Sequence, residues 1–398
     1  MTDLLADHTP RTQLYLLGRG YRAMLYHLGA VSRLNDFGLL SKLTTVSAVS
    51  GGSILSAMLA TKWNLMDCDP QIAREMVLEP IEEALCKLAY PTGSLSVLAG
   101  LLARLYPPAL KWHYRKLFGA ITLAEIQDVP EFVFMATNLR TGSGWRLSSK
   151  QVRNSDVAEL QGDFTSVPLA TAVAASASSP QAPITLKMSS FDERKGKFRS
   201  LSRGLEDEAI LADGSLAEHI NLASLSSDDV LLVSDASAFC QPSARPERAQ
   251  RNPANSVMNV ADLQLYRSRK SQILDAFAAK TLRGAYWDIA SKAEHMTDCL
   301  DCSETETAAL AKVSTEFVSI DPTIQRSLID WGFASCDIAI RAAFEEFRSN
   351  SPDASPHGTF YAKPPAASAV VSDTTPSAGT AVVSETKPPA ATGVVSAA

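Results

Sequence analysis

The chain has 398 residues, 46% of them hydrophobic, with a formal net charge of -6. That apolar content can fill one large α/β core or two to three smaller domains, and the acidic balance argues against a nucleic-acid binder. Six cysteines are too few for a disulfide scaffold. Cys299 and Cys302 form a lone CxxC with no second pair at zinc spacing, so all six read as thiols in a reducing cytosol.

The opening MTDLLADHTPRTQ carries acids and a proline where a signal peptide needs a basic start and an apolar core. No run of 18 or more apolar residues occurs, so a soluble, cytoplasmic protein is expected. Leu14-Tyr15-Leu16-Leu17 reads as a short buried strand running into Gly18-Arg19-Gly20-Tyr21-Arg22-Ala23. Met24, Leu25, Leu28, Val31 and Leu34 then recur at helical spacing up to the stop at Gly38. A strand, a Gly-rich turn and a helix N-terminus converge several N–H groups on one spot, which suits a negative charge. Gly18-x-Gly20-x-x-Ala23 also fits the dinucleotide fingerprint, but that use needs an acid closing the next strand. Asp36 lies before that strand and no acid lies at its end, so an oxyanion hole is the better use, at about 3 kcal/mol per donor.

Leu43 to Val49 is a β-branched apolar run, and Ile54 to Thr61 reads as an apolar helix. Ser50 falls on the turn between them. A serine so held is a nucleophile elbow, which demands small residues two before and two after it, here Ala48 and Gly52. The amide of Gly51, just after the serine, would join the oxyanion donors.

Residues 64 to 128 are mainly helical in pattern. Within them, 97 to 118 carries Arg104, Lys111, Arg115 and Lys116 beside Trp112 and Tyr114 with no acid, broken into two short helices by Pro107-Pro108. Cations beside aromatics suit an anionic membrane surface; an ordinary helical hairpin packed on the core is the plainer reading of the same stretch. Glu131 to Thr137 and Trp145 to Ser148 read as a β-hairpin, and Leu169 to Ala177 as a small-residue helix stopping at Ser178-Ser179-Pro180. A charged loop is expected over 189 to 208. Two apolar strands then end in acids, Ala209 to Ala212 at Asp213-Gly214-Ser215 and Val230 to Ser234 at Asp235. Either acid could cap a helix, but Asp213 is the preferred catalytic one because Gly214 permits close approach. A loop over 241 to 257, a long helix over 263 to 282 and one or two helices over 323 to 347 complete the fold. From Tyr361 a 12-residue repeat, KPPAASAVVS, TPSAGTAVVS and KPPAATGVVS, lacks the large side chains needed to order it.

Taken in order, these landmarks resemble the patatin-like phospholipase family, across roughly 14 to 238 and more weakly to 347. Its oxyanion turn, serine elbow and Asp-Gly motif correspond to Gly18-Arg19-Gly20-Tyr21-Arg22, Ala48-Val49-Ser50-Gly51-Gly52 and Asp213-Gly214-Ser215. Ala136-Thr137-Asn138-Leu139 and Ala175-Ser176-Ala177-Ser178-Ser179-Pro180 are similar to further family landmarks. Arg19, Ala48 and Ser215 depart from the family pattern, and Arg19 is tolerable in the turn if its φ is negative. The resemblance implies a three-layer α/β/α fold over 1 to 360 (core 12 to 240, helical part 260 to 350) with a central mostly parallel sheet and a tail over 361 to 398. It further implies a Ser50–Asp213 dyad without histidine, metal or organic cofactor, acting on phospholipid or another acyl-ester lipid at a transient membrane contact, the inner face of the membrane included. His27 and His219 are the residues a triad would otherwise use. A regulatory or binding scaffold, or an acyltransferase, is the alternative use of the same site.

Overall fold

A computed structural model of the chain describes residues 10–66, 69–90, 107–150, 152–154, 167–180, 182–187, 208–217, 220–237, 253–291, 300–301, 304–348, 356–357 and 361–362. All of them belong to one compact unit, Met1–Lys363. Strands β1 (Thr12–Gly18), β2 (Thr45–Val49), β3 (Glu131–Asn138), β4 (Gly144–Leu147), β5 (Val152–Asn154), β6 (Ile184–Lys187), β7 (Glu208–Asp213), β8 (Val230–Ala236) and β9 (Arg283–Asp288) join in a nine-stranded sheet. Its central strands β3-β2-β1-β8-β9 are parallel, and β4 to β7 are joined antiparallel along the β3 side.

Successive strand residues face opposite ways, and the burial follows that period. Leu14, Leu16, Val46, Ala48, Phe132, Phe134 and Leu232 face one core. Helices α1 (Gly20–Asp36), α2 (Gly51–Ala60), α3 (Glu79–Ala89), α4 (Pro107–Phe118) and α5 (Leu169–Ala177) cover that face. Tyr15, Leu17, Val133, Met135, Leu231 and Val233 face a second, smaller core closed by Ile273 of α6 (Pro253–Ala278). The result is a three-layer α/β fold. The last long helix, α7 (Pro322–Ala343), packs on α1 so tightly that a Cβ on Gly29 or Gly332 would come within 1.8 Å of the opposing backbone. Arg33 donates to Asp337 at 2.5 Å, and Arg341 holds the same carboxylate at 2.9 Å, so α1 is anchored against α7 by a buried, charge-assisted network.

The chain departs from expectation in several places. Helix α6 begins at Pro253, inside the loop expected over 241–257, because proline at a first turn forfeits no helical hydrogen bond. The same helix ends at Ala278 rather than running to 282, with Lys280 at φ 56° turning the chain into β9. Strands β5, β6 and β9 were not anticipated; they are short, or broken by Gly and charges, and are defined by their neighbours in the ladder. Tyr361–Ala362 pairs antiparallel with Leu300–Asp301, so the first two residues of the expected low-complexity tail are in a strand. Arg104, His219, Cys68, Cys240, Cys299, Cys302, the loop over 189–207, residues 241–252 and the repeats from 363 lie outside the described residues. Cys86 and Cys336 are free thiols. Among the described residues no helix is long and apolar enough to cross a membrane.

Candidate active site

Ser50 is the pivot between β2 and α2, with φ 54° and ψ -114°, a backbone conformation that costs a non-glycine residue roughly 1–3 kcal/mol. Close packing enforces it. A Cβ on Gly52 would lie 2.4 Å from the Leu16 carbonyl oxygen, and one on Gly51 would lie 2.2 Å from the Gly20 carbonyl oxygen. Strand β1, the Gly18–Gly20 turn and the serine turn are therefore packed backbone against backbone.

Ser176, in α5, fixes the turn from the other side. Its hydroxyl accepts from Ser50 N at 3.0 Å, donates to the Met135 carbonyl at 2.6 Å and meets Ser53 Oγ at 2.7 Å. Sequence reasoning marked its motif without seeing this role. The signal was a serine amid alanines in a helix that sits tightly against β3.

Asp213 approaches along the same rail. Ala136 and Thr137 of β3 pair with both β4 and β7, so those two strands lie on opposite edges of β3. Strand β7 thus continues the edge that β2 occupies, and the two strands meet end to end. Val49 is opposite Met135 and Asp213 is opposite Ala136, one β3 residue apart, or about 3.3 Å of strand rise. A Cβ on Gly214 would lie 2.3 Å from the Met135 carbonyl oxygen, so the Asp-Gly turn closes over the residue paired with Val49. Asp213 is held there by its N–H to the Ser178 carbonyl at 2.9 Å and by the Thr137 hydroxyl on its own carbonyl at 3.0 Å.

The side chains are in a closed arrangement. Ser50 is fully buried, and its Oγ has no hydrogen-bond partner among the described residues. Asp213 Oδ1 accepts from Ser215 N at 2.9 Å, and Oδ2 faces Arg19 Nε at 3.3 Å. Arg19 has φ -106°, the negative value that its position in the turn requires, and it occupies the position just before α1 without a side-chain capping hydrogen bond. The first N–H groups of α1 and α2 have no intrahelical acceptors, and Arg19, Gly20 and Gly51 lie at these helix starts, at the positive end of the helix dipoles, just after Gly18 closes β1. A small pocket lies here between Gly18, Val49, Gly214, Ser215, Ser237 and Arg269, where β1, β2, β7 and β8 end.

Arg22 braces the turn from behind. Buried among carbonyls, it donates to Ala236 and Ala311 at 2.8 Å and to Ser237 and Val313 at 3.0 Å. Burial lowers its pKa to about 10, so it stays charged at neutral pH. Asp235, the other acid at a strand end, is structural: Arg269 and Tyr286 donate to Oδ2 at 2.9 Å and Ser237 N to Oδ1 at 2.8 Å. Burial alone would raise its pKa, but Arg269 and Ser237 overcome that and hold it below the usual range. His27 is also structural, fully buried with Nδ1 2.8 Å from Ser234 Oγ, and burial lowers its pKa to about 3.

Helix α4 divides the basic aromatic stretch. Tyr114 and Phe118 pack into the core, whereas Trp112, Arg115 and Lys116 are exposed, with Lys116 Nζ 3.6 Å above the Trp112 ring. Lys111 is turned to the fold, its ammonium 3.3 Å from the Thr185 carbonyl and its pKa lowered by burial. Among the described residues no group of three His, Cys, Asp or Glu side chains is arranged to hold a metal ion.

No family model matches the chain, and no curated protein sequence matches it significantly. Solved structures similar to it include VipD from Legionella pneumophila (12% identity, TM-score 0.40, 84% of this chain and 67% of that one). Human GIVD cytosolic phospholipase A2 is similar at 13% identity and TM-score 0.45, over 87% of this chain and 63% of that one. The type III effector protein ExoU is similar at 12% identity and TM-score 0.32, over 86% of this chain and 54% of that one. The chain thus spans between about half and two thirds of the length of these proteins.

Proposed function

We propose that the protein is a serine acyl hydrolase acting on acyl-ester lipids, phospholipid foremost, of phospholipase A or lysophospholipase type. The observation that carries this reading is Ser50 at φ 54° on a strand-to-helix turn, directly after Val49, whose β3 partner is one residue from the β3 partner of Asp213. A serine held in a strained backbone conformation by close packing around neighbouring glycines is the setting of a nucleophile elbow. The motif order that resembles the patatin-like phospholipases supports the same assignment.

In the reaction, Ser50 Oγ bonds to the ester carbonyl carbon while its proton passes to Asp213. The carbonyl oxygen becomes an oxyanion, stabilised by N–H groups of the Gly18–Gly20 turn and of Gly51. Collapse of the intermediate breaks the bond to the alcohol, which leaves with the proton from Asp213. Water then attacks the acyl-serine with Asp213 as base, and fatty acid and free serine result. The exposed Trp112, Arg115 and Lys116 supply a cationic, aromatic contact for an anionic membrane surface.

The test is release of fatty acid from phospholipid vesicles by the purified protein. Wild type should be active, and Ser50→Ala and Asp213→Asn should be inactive with the fold retained; activity in Ser50→Ala would remove the assignment. A second reading, a regulatory or binding module on the same scaffold, is favoured by one observation: Asp213 is paired with Arg19 while Ser50 Oγ lacks a partner among the described residues. A fluorophosphonate probe separates the two, since it labels Ser50 only if that serine is activated.

A further inference from the structure

We propose that the Arg19 side chain determines substrate choice: it ties up Asp213 at rest, and an anionic group beside the scissile ester, a phosphate above all, draws it away and frees the carboxylate for Ser50. The inference rests on the acyl-hydrolase reading of Ser50 and Asp213.

Three observations carry it. Both oxygens of Asp213 are occupied, Oδ1 by Ser215 N and Oδ2 by Arg19 Nε, while Ser50 Oγ, buried at the end of the neighbouring strand, has no hydrogen-bond partner among the described residues. The resting arrangement therefore pairs the base with arginine instead of with the nucleophile. The Asp213 side chain is only 4% exposed but that of Arg19 is 21% exposed, so the guanidinium is the solvent-facing member of the pair. Finally, the backbone of Arg19 belongs to the turn whose amides would hold the ester oxygen. A carbonyl bound there brings a neighbouring substituent of the same lipid within reach of the Arg19 side chain.

The physical logic is an exchange of partners. Separating a buried ion pair without replacement leaves an uncompensated charge, so the closed state persists in the absence of ligand. A phosphate offers the planar guanidinium fork a bidentate match, and where it takes Nε as one prong it does so in place of Asp213. Such a ligand shifts the population to the open state by its differential affinity. The carboxylate then gains the Ser50 hydroxyl in place of the guanidinium. A neutral ester provides no such exchange and meets an enzyme whose base is engaged.

The experiment compares kcat/KM for two monoacyl glycerol esters with the same acyl chain, one phosphorylated and one neutral, in wild type, Arg19→Gln and Arg19→Lys. Wild type should prefer the phosphorylated ester by about ten-fold or more, the scale of one charge-assisted hydrogen bond. Arg19→Gln, which keeps the backbone amide, should raise turnover of the neutral ester and abolish the preference, and Arg19→Lys should retain part of it. Inorganic phosphate that accelerates neutral-ester hydrolysis in wild type but not in Arg19→Gln supports the proposal and identifies a free anion as sufficient. An intact preference without that acceleration supports it with the lipid's own phosphate as the trigger. Equal kcat/KM for the two esters in wild type, or an equal fall for both in Arg19→Gln, overturns it. If fluorophosphonate still labels Ser50 in that case, the hydrolase reading stands and only the role of Arg19 fails; if Ser50 is unlabelled and neither ester is cleaved, both fail.

Discussion

Replacing Ser50 by glycine and by alanine separates the strain in the turn from the burial of its hydroxyl. Alanine removes Oγ, which is buried without a partner among the described residues, and recovers roughly 1–3 kcal/mol of desolvation cost. It leaves a Cβ at φ 54°. Glycine removes that Cβ as well and relieves about 1–3 kcal/mol of backbone strain, offset by roughly 0.5–1 kcal/mol from the freer unfolded chain. Ser50→Gly is therefore expected to be more stable than Ser50→Ala by about 0–2.5 kcal/mol, and Ser50→Ala to be at least as stable as wild type. Urea unfolding followed by tryptophan fluorescence, with thermal melts as a check, measures both differences. Both variants lose hydrolysis, so the experiment also measures how much stability the native serine forgoes. Ser50→Gly unfolding at lower urea than Ser50→Ala would refute the claim that the turn is strained, and wild type exceeding both would show that Oγ has a stabilising partner.

Three further outcomes follow from the same structure. Because burial depresses the His27 pKa to about 3 against an ordinary value of 6.5, the unfolded chain binds the extra proton first. The stabilisation is complete above pH 6.5 and is lost as pH falls toward 3, by about 2 kcal/mol between pH 6.5 and 5 at 1.36 kcal/mol per pH unit; urea midpoints should show this slope and His27→Asn should flatten it. Ser176→Ala leaves Ser50 N–H and the Met135 carbonyl without their hydroxyl partner, so it should cost about 1–3 kcal/mol in stability and lower kcat with KM little changed. Gln at Arg115 and Lys116 should each weaken binding to anionic vesicles by about 1 kcal/mol in a flotation assay, whereas Lys111→Gln, already turned to Thr185, should change it less.

The strained turn at Ser50 was legible because its determinants are local: an apolar strand, small residues around Ser50 and an apolar helix all lie within one short stretch of chain. The choice of Asp213 over Asp235 was readable only as a preference. Both are acids at strand ends, and what separates them is that Arg269, far along the chain, pairs with Asp235 while Tyr286 donates to it. The Arg19–Asp213 pair was invisible for the same reason, since 194 positions separate its members and no periodicity links them. Strand β9 escaped because Arg283 and Gly284 interrupt its apolar pattern, although Gly284 lies so close to Leu231 that any side chain would collide with its backbone. The basic stretch was ambiguous in sequence because α4 carries buried and exposed residues together, Tyr114 and Phe118 in the core and Trp112, Arg115 and Lys116 at the surface.

The end-to-end meeting of β2 and β7 on one edge of β3 makes the Met135–Ala136 peptide a gauge for the whole site. Covalent geometry, not side-chain packing, sets the spacing between Val49, which precedes Ser50, and Asp213. Helices on either face can loosen without altering it, as long as the two ladders on β3 hold. A one-residue slip of either ladder would turn the strand's side chains to the opposite face and lose the site at once. Amides in this part of β3 should accordingly exchange with solvent only on global unfolding, and agents that soften the helical layers should change substrate entry before they change the chemical step.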